Sequence, residues 1–112
     1  MTNKEWLNRG WKLVDEINSL EAAREKAIKL RGEKKREKYT KLIDKKVREL
    51  IKVQIEIIMA IYRLPDRKDR MILQLRYLAY LSHEQIAEIM VYDETRSVGR
   101  RIDAAAERIV QR

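Results

Sequence analysis

From Tyr39 onward, Ile43, Val47, Leu50, Gln54, Ile57, Ile61 and Leu64 recur at alternating steps of four and three residues, the spacing of a coiled-coil seam. Gln54 is its one polar member. A second row, Ile51, Ile55, Ile58 and Tyr62, lies roughly 100° around the same helix, so one neighbouring helix cannot cover both. Upstream, Trp6, Leu13, Ile17, Leu20 and Ala27, with Leu7, Val14 and Ile28 beside them, predict a helix from Asn3 to Arg31 that weakens after Leu20, with Gly32 as its C′ residue. This helix is expected to fold back as an antiparallel partner. Residues 1–64 then form a helical hairpin in which Ile43, Val47, Leu50, Ile57 and Ile61 make the hairpin core or a dimer seam. The uncovered row must meet the C-terminal region or another subunit, and a homodimer is the economical expectation. The charged run Glu33 to Lys38 reads either as a short loop or as the first exposed turns of the next helix.

Pro65 forces Leu64 out of helical geometry and suits the first turn of a new helix, which places a domain boundary there. Asp66 to Tyr80 has two apolar sides, Met71, Leu75 and Leu78 on one and Leu73, Tyr77 and Tyr80 on the other. Ser82 and Gln85 then form a capping box, with Leu81 and Ile86 as the matching hydrophobic staple, so a helix starts at His83. Its inward face is Ile86, Ala87 and Met90. Tyr92 and Asp93 interrupt the pattern before Val98, Ile102, Ala105 and Ile109 set up a second stripe, which turns Arg96, Arg100, Asp103 and Glu107 outward. The chain is predicted to be all-α, with a three-helix domain of the helix-turn-helix type over residues 65–112.

Length and composition fit this outline: 112 residues suffice for one domain, or a small domain with a helical extension, and one Pro and three Gly leave few helix breaks. The absence of Cys removes disulfides and thiolate metal sites, and the longest apolar run, Ile57 to Tyr62, is far short of a membrane span. A cytoplasmic protein without a membrane partner is expected. The net charge of +8 comes from Arg24 to Lys52, where 13 Lys and Arg face 5 Asp and Glu. Such a field favours phosphate but carries no sequence information. Lys34, Lys35, Arg36 and Lys38 are therefore candidate phosphate contacts, against the alternative of a solvated hairpin tip.

Arg96 and Arg100 share the outward face of the last helix, where either can fork onto guanine O6 and N7 in a major groove. The plainer alternative is that Arg100 pairs with Asp103 on its own helix. Thr95 and Ser97 can donate to bases or phosphates or cap the helix, and Arg101, at the flank of the packed face, suits phosphate. His83 is the only histidine and has no companions for a metal site, Ser82 has a capping role and no base, and no glycine-rich phosphate loop occurs. Neither an enzyme nor a cofactor or metal is expected. Trp6 and Trp11 lie roughly 140° apart around their helix; Trp6 reads as core, and Trp11 as half exposed, lying across its own hairpin or anchoring a partner.

Leu64-Pro65-Asp66, Leu75-Arg76-Tyr77-Leu78, and Leu81-Ser82 followed by Glu84-Gln85-Ile86-Ala87-Glu88-Ile89 resemble region 4 of bacterial sigma factors and the phage late transcriptional regulators of the ArpU-like group that share its fold. The opening Lys4-Glu5-Trp6-Leu7-Asn8-Arg9 is also similar to that group. The resemblance implies a phage or prophage regulator of late genes that binds double-stranded DNA, with RNA polymerase as a further candidate partner. The chain departs from the group at Val91, where Gly is usual, and from Tyr92 to Val98, which is six residues rather than five. Keeping the usual register would bury Arg101, so an inserted turn residue is preferred. The altered turn, with Asp93, Glu94, Asp103 and Glu107 around the last helix, supports a rival reading as an adaptor or inhibitor that grips a host protein on the same scaffold. A third reading makes the basic hairpin a non-specific nucleic-acid clamp.

Overall fold

Thr2 starts the first helix: its hydroxyl accepts from the Glu5 amide at 3.1 Å and donates to the Glu5 carboxylate at 2.9 Å. That hydroxyl holds the Glu5 carboxyl below its ordinary range. The computed structural model describes residues 1–91 and 95–112, with Thr95 and Arg96 described by their backbone alone. Every regular element among the described residues is α-helical: α1 (Asn3–Leu7), α2 (Arg9–Lys29), α3 (Glu33–Tyr62), α4 (Arg67–Tyr77), α5 (His83–Met90) and α6 (Thr95–Glu107). None is long and apolar enough to cross a membrane.

The single helix expected over Asn3 to Arg31 is broken at Asn8, where α1 ends and α2 begins. The break frees Trp6 and Leu7 to enter the core among the C-terminal helices. Helix α2 ends at Lys29, two residues earlier than expected: Arg31, at φ 56°, takes the left-handed C′ position in place of Gly32, and the Gly32 amide donates to the Ala27 carbonyl at 2.8 Å, the long bond of a Schellman turn. The charged run from Glu33 is helical and opens α3.

Helices α2 and α3 run antiparallel, as the pairs Arg9–Glu56 (2.7 Å), Glu16–Lys46 (3.0 Å) and Arg24–Thr40 (3.4 Å) record. The Glu16 carboxylate raises the Lys46 ammonium above its ordinary range. Ile17, Ala27 and Ile43 are buried along this pair, and Ile57 and Ile61 at its other end. Leu50 is half-buried. Val47, expected in the seam, is 37% exposed. A straight helix drifts about 20° per heptad against a strict seven-residue repeat, and Val47 stands two heptads before Ile61.

Pro65 precedes the fourth helix rather than opening its first turn. Asp66 is the N-cap, accepting from the amides of Lys68 at 2.7 Å and Asp69 at 3.4 Å, and these bonds hold its carboxyl below the ordinary range. The inward face of α4 is Asp69, Ile72, Leu73 and Tyr77, with Leu75 and Leu78 partly covered and Met71 exposed. One hydrophobic core draws on both sides of Pro65. Trp6, Leu7, Ile57 and Ile61 meet Ile72, Leu73, Ile86, Val98 and Ile102 in it.

The two parts are keyed together at Tyr80. This residue, at φ 58°, sets its ring edge-on to Trp11 with centroids 5.2 Å apart, and its hydroxyl accepts from Gln54 Nε2 at 3.0 Å. The polar member of the α3 seam thus has its partner inside the chain. Trp11 lies against α4, where its Nε1 donates to the Arg76 carbonyl at 2.8 Å and its ring sits under the Arg76 guanidinium. Gly10 makes room for this arrangement, because a Cβ there would stand 2.7 Å from the Tyr80 hydroxyl.

That contact yields a double-mutant test. Gly10→Ala should lower stability by about 1–2 kcal/mol, the clash outweighing alanine's helix preference. With Tyr80→Phe already in place, the same substitution should be neutral or stabilising. Thermal melts of the four proteins measure the coupling, and additive effects would show that the hydroxyl does not set the limit.

Candidate nucleic-acid interface

The candidate base contacts read from the sequence fall on α6, which follows α5. Helix α5 begins where the sequence places it: the Gln85 amide donates to the Ser82 hydroxyl at 3.2 Å and the Gln85 side chain accepts from the Ser82 amide at 2.9 Å. Ile86 and Ala87 are buried, while Glu84, Gln85 and Glu88 face solvent. His83, in the first turn, is half-buried in a small polar cleft and abuts Gly99 of α6. The helix ends at Val91, whose backbone is left-handed at φ 57° and ψ 49° and whose side chain is 85% exposed. A β-branched residue is strained in that conformation. The backbone here takes the shape that Gly favours, at the position where the sequence departs from the group it resembles.

Residues 92–94 and the side chains of Thr95 and Arg96 lie outside the described residues, so the inserted turn residue and these two candidate contacts do too. Beyond them, Val98, Ile102, Ala105 and Ile109 are buried, in the register the sequence pattern predicts, and Ala106 joins them. Ser97 is half-buried and Arg100 is exposed. Arg101 is turned the other way. Its Nη2 lies 2.9 Å from Asp69 Oδ1 and 3.3 Å from Asp66 Oδ2, so the side chain anchors α6 to α4 instead of projecting beside Arg100.

Asp69 is the residue that inspection of the sequence missed. At 1% exposure it is the buried acid among the described residues, and Arg108 donates to its other oxygen at 2.7 Å. A buried carboxylate is tolerated only with such partners. The sequence signal was its position three and four residues before Ile72 and Leu73 on the inward face of α4. The N-terminus closes α6 from below: Asn3 Nδ2 donates to the carbonyls of Ala106 at 2.9 Å and Ile109 at 2.8 Å. One turn earlier on α6, Asp103 pairs with Lys4 at 2.9 Å, and this hydrogen bond and charge raise the Lys4 ammonium above its ordinary range.

Lys34, Lys35, Arg36 and Lys38 are all exposed in the first turns of α3, at the far end of that helix from α4. Lys34 and Lys35, with Lys26 and Arg31, line an open concavity of about 630 Å³ whose lining also includes Glu33, Ala27, Leu30 and Tyr39. The structure therefore separates the candidate contacts into two groups, one on α6 and one at this tip. No protein-family model, curated protein or solved structure matches the chain.

Two substitutions test the supports of α6. Asp69→Asn should cost roughly 2–3 kcal/mol in urea unfolding, less than a fully buried pair because both arginines reach solvent; an unchanged midpoint would mean that the carboxylate does not hold the helix. Val91→Gly should raise stability by about 1 kcal/mol by relieving the left-handed strain. A loss on that change would show that the valine side chain contributes packing that outweighs the strain.

Proposed function

We propose that this protein binds double-stranded DNA in a sequence-specific manner and acts in transcriptional control, with α5 and α6 as a helix-turn-helix and the outer face of α6 laid in the major groove. The observation that carries the reading is the division of charge on α6. Asp103, which helix spacing would allow to neutralise Arg100, is paired with Lys4, and Arg101 is held by Asp69. Arg100 is left exposed and without an ion pair among the described residues. A guanidinium presented in this way on the outer face of a packed helix is suited to guanine O6 and N7. The basic tip of α2 and α3 supplies a second, sequence-blind attraction for phosphate. The resemblance to sigma region 4 and to phage late regulators extends the proposal to late-gene control in a phage or prophage, with RNA polymerase as a partner of the same domain.

The competing reading, an adaptor that grips a protein, is favoured by the exposed acids Asp103 and Glu107 on α6 and by Val91 and Ile89, both exposed at the end of α5. Selection from genomic fragments, followed by titration at several salt concentrations, separates the two. Arg100→Ala should weaken binding to the selected site by roughly 1–3 kcal/mol and leave random-duplex binding nearly unchanged. Replacing Lys34, Lys35, Arg36 and Lys38 with Gln should weaken all duplexes alike and flatten the salt dependence. Should no site be enriched, or should Arg100→Ala bind its site as the wild type does, the adaptor reading takes precedence.

A further inference from the structure

The outer face of α3 changes character at Val47. Before it the face carries Glu33, Glu37, Thr40 and Asp44; from there to the end of the helix it carries Val47, Ile51, Ile55, Ile58 and Tyr62, with Met59 beside them. The C-terminal helices do not cover this row. The six residues are 37, 50, 53, 39, 65 and 53% exposed in that order. The row is about 22 Å long, and at these exposures it leaves on the order of 500 Å² of apolar surface open to water, a patch size that marks an interaction site.

We infer that a second copy of this chain covers the row, the two α3 helices packing antiparallel about a two-fold axis beside Ile55. The steps along the row are four, four, three and four residues, the seam spacing of paired helices. Read backward about its midpoint the row nearly superimposes on itself, placing Val47 opposite Tyr62 of the partner subunit and Ile51 opposite the partner subunit's Ile58. A two-fold interface requires such self-complementarity. Two copies together bury about 1,000 Å², the lower bound of a specific interface. The charged face before Val47 limits the contact to this length. The inference stands apart from the DNA reading, since it uses no residue of α5 or α6.

Light scattering of the full chain at tens of micromolar tests it. The wild type should have twice the 13.5 kDa mass of the single chain. Ile51→Glu combined with Ile55→Glu should give the single-chain mass with an unchanged circular dichroism spectrum, because both side chains are half exposed within one copy. Ile55→Lys alone should weaken association at least tenfold. Since the chain has no Cys, Ile55→Cys should cross-link to itself on oxidation, and Val47→Cys should not, although it should cross-link to a Tyr62→Cys copy. A wild type that stays monomeric, a double variant that stays dimeric, or Val47→Cys linking to itself more readily than Ile55→Cys would each overturn the arrangement.

Discussion

The structure depends on covering Trp6 and Leu7, two large side chains on a helix of only five residues. So short a helix is unstable alone. It persists because both side chains enter the shared core, Leu7 completely, and because its two ends are tied: Thr2 caps it, and the Arg9 guanidinium lies 4.6 Å over the Trp6 ring while reaching Glu56 on α3. The same short segment lends Asn3 to the carbonyls at the end of α6 and Lys4 to Asp103. One buried pair therefore joins the beginning of the chain, the end of α3 and the final helix.

That junction explains what the sequence revealed and what it hid. Repeating patterns were legible: the buried positions of α6, the capping box at Ser82 and the helical nature of the described elements follow from local spacing. The break at Asn8 was not, since the nearby Gly10 lies inside α2 and the apolar stripe runs through the break; the tertiary burial of Trp6 and Leu7 accounts for it. Trp11 belongs to the same class. Its position on the helix allowed a place across its own helix pair, but its indole is bonded to α4. Asp69 shows a further limit, because an acid near a helix start has an ordinary local explanation in the helix dipole. Its two arginine partners lie 32 and 39 residues away in sequence. The candidate contacts were legible as residue types on one helix, but pattern alone could not say that Arg100 would be left exposed while Arg101 was drawn inward.

The ion pairs matter to the proposed function through this sorting. Asp69 takes the cations on the inner flank of α6, and Lys4 takes the acid that would otherwise sit beside Arg100. The exposed Lys4–Asp103 pair contributes little to stability and the buried Asp69 contributes more, but each determines which charges remain to meet a ligand. The basic tip has a different logic. Its lysines and arginine are exposed on the first turns of a helix, an arrangement that attracts any polyanion and distinguishes none.

The central claim is that duplex DNA meets α6, and amide chemical-shift mapping of the full chain against a selected duplex at physiological salt tests it most directly. The account predicts that the largest shifts fall on the exposed positions around Arg100 and on the first turn of α5, with the tip at Lys34 to Lys38 responding alike to selected and random duplex. Shifts confined to the tip, with α6 unmoved by the selected duplex, would contradict it.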